Sequence, residues 1–298
     1  MPDTGFRFLD RGNTIVKLAC TVSLLVITFF TLPGNLRADD DLYVKSDPLL
    51  LQQVRRLEYR RGMWTAVRAR LKLQFISAAN QSGICEGDLL YNRISEKIFL
   101  KCFNQKKKLL FIFRTNENRF DLYLPDRSVL YQGNIFELSD SPELESHLKP
   151  LDLYRALKMT AIPYNQRIIW RHLPEGGSQI QLYSNKNGEA FLSREIYSTP
   201  ADDVTREIYF SPDGKGQLDI KRSDFRRIEY KLFRQKEVFY FPVKIEMINH
   251  EKQLRTVFYF QEVSFPGNFT EKEWFLMAPQ DTKIIRLDYN PMKAQTSS

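Results

Sequence analysis

Two cysteines, Cys85 and Cys102, have the spacing in this 298-residue chain that specifies a bond. They flank Tyr91-Asn92-Arg93-Ile94-Ser95-Glu96, and a chain turning around Asn92 to Ser95 places them opposite each other in a hairpin. A disulfide there would contribute about 3 kcal/mol by restricting the unfolded chain. The alternative is a pair of buried free thiols in adjacent strands. Other reactive chemistry finds little support. Nucleophilic catalysis needs a base beside the nucleophile, and His147, His172 and His250 all lie outside any nucleophile-elbow or Cys/His context. The sequence has no paired-cysteine metal spacing, no His-Glu-x-x-His and no phosphate-cradling glycine loop. Acidic pairs such as Glu143/Glu145 and Asp202/Asp203 are the residue types of glycoside hydrolysis, which leaves a secreted hydrolase as the enzymatic alternative. The expectation is a protein that is not an enzyme and uses neither cofactor nor metal.

The elements that carry these residues read mainly as β-strands. From Val67 to Phe75 the chain alternates strictly: Val67, Ala69, Leu71, Leu73 and Phe75 on one face, and Arg68, Arg70, Lys72 and Gln74 on the other. Similar alternation at Phe120/Leu122/Leu124, Ile228/Tyr230/Leu232, Val243/Ile245/Met247 and Leu254/Thr256/Phe258/Phe260 predicts antiparallel sheet with one apolar and one wet face. Strands are expected at 64–77, 84–91, 97–103, 108–115, 119–124 and 128–133. After an interruption they resume at 166–172, 178–184, 189–198, 204–211, 217–222, 225–234, 238–249 and 253–264, with a last strand at 282–288 closing the sheet. Asn187-Gly188 and Asp213-Gly214 favour primed hairpin turns. A leading helix is capped by Ser46 or Asp47, starts at Pro48, carries Leu50, Val54 and Leu57 on one face and stops at Gly62. Two short helices open at Ser141-Pro142 and Pro150-Leu151, with stripes Leu144/Leu148 and Leu151/Tyr154/Leu157 that must cover something apolar.

Composition sets the compartment and the partners. Arg7, Arg11 and Lys17 precede an uncharged run from Leu18 to Leu32, which Pro33-Gly34 ends. This is a signal-peptide pattern cleaved after Ala38, or an uncleaved membrane anchor, so residues 1–38 are an export segment and 39–298 the folded domain. Cys20 sits near the start of the apolar run, unlike a lipidated cysteine. The expected location is the periplasm, either soluble or tethered to the inner membrane. A net charge of +8 is spread along alternating strands, which argues against a nucleic-acid partner. The clusters Arg55/Arg56/Arg60/Arg61, Lys106 to Lys108 and Arg226/Arg227 could meet anionic lipid headgroups. Most of the twenty-two phenylalanines and fourteen tyrosines are expected in the core. One twisted sheet roofed by short helices encloses an apolar space suited to acyl chains.

Several segments resemble LolA, the periplasmic carrier of bacterial lipoproteins, and its relative LolB. Gly87-Asp88-Leu89-Leu90-Tyr91-Asn92-Arg93 is similar to that family's Gly-x-Leu-x-x-x-Arg hairpin, and Asn118 to Pro125 to its aromatic strand ending in proline. Phe241-Pro242-Val243-Lys244-Ile245 and Trp274 to Pro279 resemble its last segments. The resemblance implies a mainly β fold: a strongly curved antiparallel sheet forming an incomplete β-barrel capped by helices. It further implies a lipid-binding cavity lined by Leu71, Leu73, Phe75, Leu89, Leu100, Phe111, Phe113, Phe120, Leu122 and Leu124, under a lid bearing Leu144, Leu148, Leu151, Tyr154 and Leu157. Arg93 matches the family arginine that latches the lid. The family proline after that arginine is Ile94 here, and extra strands follow Gln166. The implied partners are lipid or lipoprotein acyl chains and membrane transport components, the protein acting as a monomer. The alternative is an envelope protein-interaction scaffold whose interior is filled by its own aromatic side chains.

Overall fold

The computed structural model describes residues 47–287 apart from 63–64, 78, 80–81, 136–149, 159–161, 164–165 and 233–234, all within one unit, Leu42–Ser298. The export segment, Ser46, His147, and the helix expected from Ser141 with Leu144 and Leu148 lie outside the described residues. Helix α1 (Pro48–Gly62) begins as expected, with Asp47 Oδ1 accepting hydrogen bonds from the amides of Leu49 at 2.9 Å and Leu50 at 3.3 Å. Helix α2 runs Pro150–Leu157.

Fourteen strands make one sheet: β1 (Ala66–Ile76), β2 (Ser82–Asn92), β3 (Lys97–Phe103), β4 (Leu109–Asn116), β5 (Arg119–Leu124), β6 (Val129–Asn134), β7 (Arg167–His172), β8 (Ser178–Lys186), β9 (Glu189–Ser198), β10 (Val204–Phe210), β11 (Gly216–Leu232), β12 (Gln235–Asn249), β13 (Leu254–Ser264) and β14 (Lys283–Arg286). Their order is β14-β6-β5-β4-β3-β2-β1-β13-β12-β11-β10-β9-β8-β7. Two meanders, β1–β6 and β7–β13, are thus fused through the antiparallel pairing of β1 with β13. The last strand does not close the sheet. It adds parallel to β6, Ile284 opposite Leu130, and becomes an edge, with β7 at the other end.

Two sequence expectations change at strand level. Residues 217–222 and 225–234 are one strand, because Asp224 takes a left-handed conformation (φ 56°) without breaking the ladder. Pairing with β12 resumes in the same register, Ser223 opposite Lys244 and Phe225 opposite Pro242. Asn187 and Gly188 both have positive φ, as a primed turn requires, whereas at Asp213-Gly214 only Gly214 does.

The sheet curves around one largely apolar face, whose buried residues form two clusters. Val67 of β1, Tyr91 of β2 and Arg222 of β11 line the same small cavity beneath Ala156 and Leu157 of α2. With neighbouring strands ~4.8 Å apart, β2 and β11 would lie roughly 19 Å apart on a flat sheet. Only a concave surface brings both to one cavity. Helix α2 roofs the middle of this face, and α1 covers its β7–β9 end, burying Leu50, Val54 and Leu57 against Ile168, Ile180, Leu182 and Ile196. A buried carboxylate fixes α1 there: Asp202 accepts from Gln53 Nε2 and Arg56 Nε, each at 2.9 Å.

The opposite face is not uniformly wet. Ile98-Phe99-Leu100 and Phe111-Ile112-Phe113 are apolar on both sides, and Phe99, Ile112, Tyr123 and Leu130 are covered by Phe269 and Trp274. The segment after β13 folds back over the convex side to do this, an added layer that period-two reading alone does not reveal.

Candidate functional site

The residues expected to line a cavity do share one face. Across the ladders Phe260 faces Leu71, Leu89 faces Leu100, Leu100 faces Phe113, and Phe113 faces Leu122. Leu71, Leu73, Leu89, Leu100, Phe111, Phe113, Phe120 and Leu122 are all buried in one cluster with Leu151, Tyr154 and Leu157 of α2, and Phe75 and Leu124 pack at its margin. Among the described residues these side chains pack directly against one another and against α2. Between the sheet and α2 there remains a cavity of about 20 Å³, room for roughly one water molecule. A larger depression, about 570 Å³, is on the convex face among Arg68, Arg70, Asp88, Lys101, Glu262 and Phe275.

Gly87 explains part of that density. It faces Leu71 on one side and Cys102 on the other. A Cβ at this position would stand 2.9 Å from the terminal carbons of both Leu71 and Leu73. The glycine therefore lets two leucines fill the floor of the concave face. Cys85 and Cys102 are joined by a disulfide with Cα atoms 5.9 Å apart, but not as direct partners, since Gly87 rather than Cys85 faces Cys102. The turn occupies Arg93 to Glu96, one residue later than the sequence suggests, because Asn92 Oδ1 accepts from the amides of Ile94 and Ser95 and pins its start. Moving the turn by one residue shifts the pairing by two, which keeps both cysteines on the same face.

Four residues of α2 and its end hold it to this face by polar contacts at separate places. Lys158 Nζ is 2.6 Å from Glu96 Oε2 at the β2–β3 turn, and the Tyr154 hydroxyl donates to the same carboxylate at 3.5 Å. Asp152 Oδ2 accepts from Asn249 Nδ2 of β12 at 2.8 Å. The Arg155 guanidinium lies 4.4 Å from the centre of the Tyr209 ring of β10. Burial, and secondarily the Glu96 carboxylate, push the Tyr154 hydroxyl well above the usual tyrosine range. Arg93 is exposed, its amide bonded to the Thr65 carbonyl, and its side chain takes no hydrogen bond among the described residues. Among the described residues the bonds from this hairpin to α2 and its end come from Glu96.

Sequence reading missed a polar cluster on the same face. Arg194 of β9, Glu207 and Tyr209 of β10 and Arg222 of β11 follow the inward register, with Arg194 facing Tyr209, Glu207 facing Ile220 and Arg222 facing Ile245. Glu207 Oε2 accepts from Arg194 Nε at 3.1 Å and from the Tyr209 hydroxyl at 3.2 Å, and Oε1 lies 2.9 Å from Arg222 Nη1. Burial pulls the Arg194 guanidinium down, but Glu207 and Tyr209 together hold it above its ordinary pKa. One signal was available in the sequence. In Leu218-x-Ile220-x-Arg222 the apolar period of two runs directly onto the arginine, placing it inward.

Among the described residues no cluster of three His, Cys, Asp or Glu side chains could hold a metal ion, and no helix is long and apolar enough to cross a membrane. His172 is exposed beside Trp170, and Asp202 is committed to α1.

No family model matches the sequence, and no curated protein does. Solved structures match the fold. A domain described as outer membrane lipoprotein-sorting, from Vibrio parahaemolyticus, superposes with a TM-score of 0.55 at 11% identity, covering 75% of this chain and 95% of that one. A DUF1329 family protein from Desulfovibrio piger gives 0.52 at 8% identity, with the same coverage. A LolA superfamily protein from Nitrosomonas europaea gives 0.49 at 8% identity over 76% and 97% of the two chains. The large, curved, unclosed sheet is thus the fold of the lipoprotein-sorting domains.

Proposed function

We propose that this chain is a non-enzymatic carrier or binding protein of the bacterial cell envelope that shelters lipid or lipoprotein acyl chains on its concave face. The observation that carries the reading is a broad apolar face across β1–β6 and β11–β13, roofed by a short helix held at a few polar points. The likeness of the fold to a lipoprotein-sorting domain supports it. The export pattern at residues 1–38 supports placement in the envelope, and the basic clusters offer contacts for a membrane or its transport components.

The space beneath α2 holds about 20 Å³, so a guest at that place has to replace the helix. Lifting α2 uncovers Leu151, Leu153, Tyr154 and Leu157. At about 1.5–3 kcal/mol for each large apolar side chain this costs roughly 6–12 kcal/mol. An acyl chain regains about 0.8 kcal/mol per buried methylene, so ~14 methylenes on the same face offset it. Lid and guest would compete for one surface, and Leu71, Leu73, Phe113 and Leu122 would contact whichever is bound. The test is detergent-free purification followed by solvent extraction and mass spectrometry. Bound amphiphile near one per protein is expected. The cavity of about 20 Å³ favours a second reading, an interaction scaffold with a filled core, and protein that neither carries nor takes up an amphiphile would establish it instead.

A further inference from the structure

Arg222 is a poor structural ion-pair partner. Its side chain is fully buried, and Nε, Nη1 and Nη2 have no hydrogen-bond partner of acceptable geometry among the described residues. Nη1 faces Glu207 Oε1 at 2.9 Å, but that carboxylate already serves Arg194 and Tyr209 through its other oxygen. For Arg222 the ionic partner among the described residues is Glu207, a carboxylate that Arg194 also holds. A buried guanidinium without acceptors is costly, and a fold keeps one cheaply only where an anion or carbonyl arrives to meet it.

The position of this charge matters as much as its burial. Arg222 lines the small cavity whose other walls include Leu89, Tyr91, Phe260, and Ala156 and Leu157 of α2. Displacing α2 therefore opens an apolar surface with one cationic fork at its floor. A planar guanidinium offers two parallel N–H groups to two oxygens of a carboxylate or phosphate.

We propose that Arg222 is the head-group anchor of the acyl site, binding a ligand that ends in an anionic oxygen group and whose chain lies on the concave face. This rests on the carrier reading above. Its chemistry is met by a fatty acid carboxylate or by a phospholipid phosphate, and the neutral ester of the same chain lacks it.

The experiment uses the full chain, stripped of lipid, with palmitate, methyl palmitate and dipalmitoylphosphatidylglycerol as probes in native mass spectrometry. Wild-type protein is expected to bind one of the anionic probes at least about tenfold tighter than the ester, the size of one charge-assisted contact. Whether palmitate or the phospholipid is preferred identifies the source of the anion. In R222M the preference is lost while ester binding persists, and in R222K it is reduced. R222M removes a buried guanidinium whose N–H groups are unmet while Glu207 keeps its contacts to Arg194 and Tyr209, so it is expected to melt no lower than the wild type. Equal binding of acid and ester by the wild type, or a preference surviving in R222M, overturns the anchor while leaving the carrier reading intact. Failure of R222M to fold overturns it too, by showing a structural need for the charge. If no probe binds, the carrier reading falls and the anchor with it.

Discussion

Lys158, just past the end of α2, reaches 2.6 Å to the carboxylate of Glu96 at the tip of the β2–β3 hairpin. The contact joins the roof of the concave face to the turn that also carries Arg93. Lys158 is only 14% exposed and Glu96 44%, so the pair is half screened by solvent.

Breaking it should loosen the helix without unfolding the sheet. K158M and E96Q are each expected to lose about 0.5–1 kcal/mol, the range for a partly exposed pair. Backbone amides of Leu151 to Leu157 should exchange several-fold faster while those of β1 and β13 do not change. Hydrogen exchange read by mass spectrometry tests this, and equal exchange in helix and sheet would remove Glu96 as the tie.

Gly87 should tolerate little. In G87A the new methyl meets Leu71 and Leu73 at 2.9 Å, and since both contacts are the ends of flexible side chains, repacking at about 1–3 kcal/mol is expected rather than collapse. L73A alone should cost about 2–5 kcal/mol as a cavity. The double variant G87A/L73A should be more stable than the sum of the two losses predicts, because the methyl occupies part of the space the leucine left. Denaturant midpoints of the four proteins give the coupling, and strict additivity would mean that the glycine does not set this packing.

Tyr154 gives the fold an alkaline limit. Its hydroxyl is held above the ordinary value near 10 by burial and by Glu96, so its contribution is complete below pH 10. Above that, the unfolded chain releases the proton while the folded chain keeps it, and stability falls as pH rises toward the raised folded value. Between pH 9 and 11 the wild type should lose melting temperature faster than Y154F. The difference cannot exceed about 1.4 kcal/mol per pH unit for one group. Parallel curves would show that this hydroxyl stays ionisable in the folded state.

Local periodicity made much of this legible. Asp47-Pro48 with Leu50, Val54 and Leu57 defined α1, and Pro150 with Leu151, Tyr154 and Leu157 defined α2, because caps and apolar stripes act over a few residues. Strict alternation gave the inward set from Val67 to Phe75. What it could not give depends on distant parts of the chain. The partner of α1 is the β7–β9 surface, more than a hundred residues downstream. Strands expected at 217–222 and 225–234 proved to be one, because pairing on β12 carried the strand through Asp224. The basic residues as a group were expected on the wet face, but Arg222 is buried, as its place in the alternation after Leu218 and Ile220 implies.

The join between β1 and β13 has a consequence for how the chain acquires its structure. Arg68 pairs with Ser264, so the strand that emerges among the first during synthesis waits for one made near the end. Until then one edge of β1 is bare and β1–β6 form a half-sheet whose greasy side has no complete cover. Such long-range closure makes folding slow, and a chain assembled this way gains from a helper that shields that edge while the second meander is still being made.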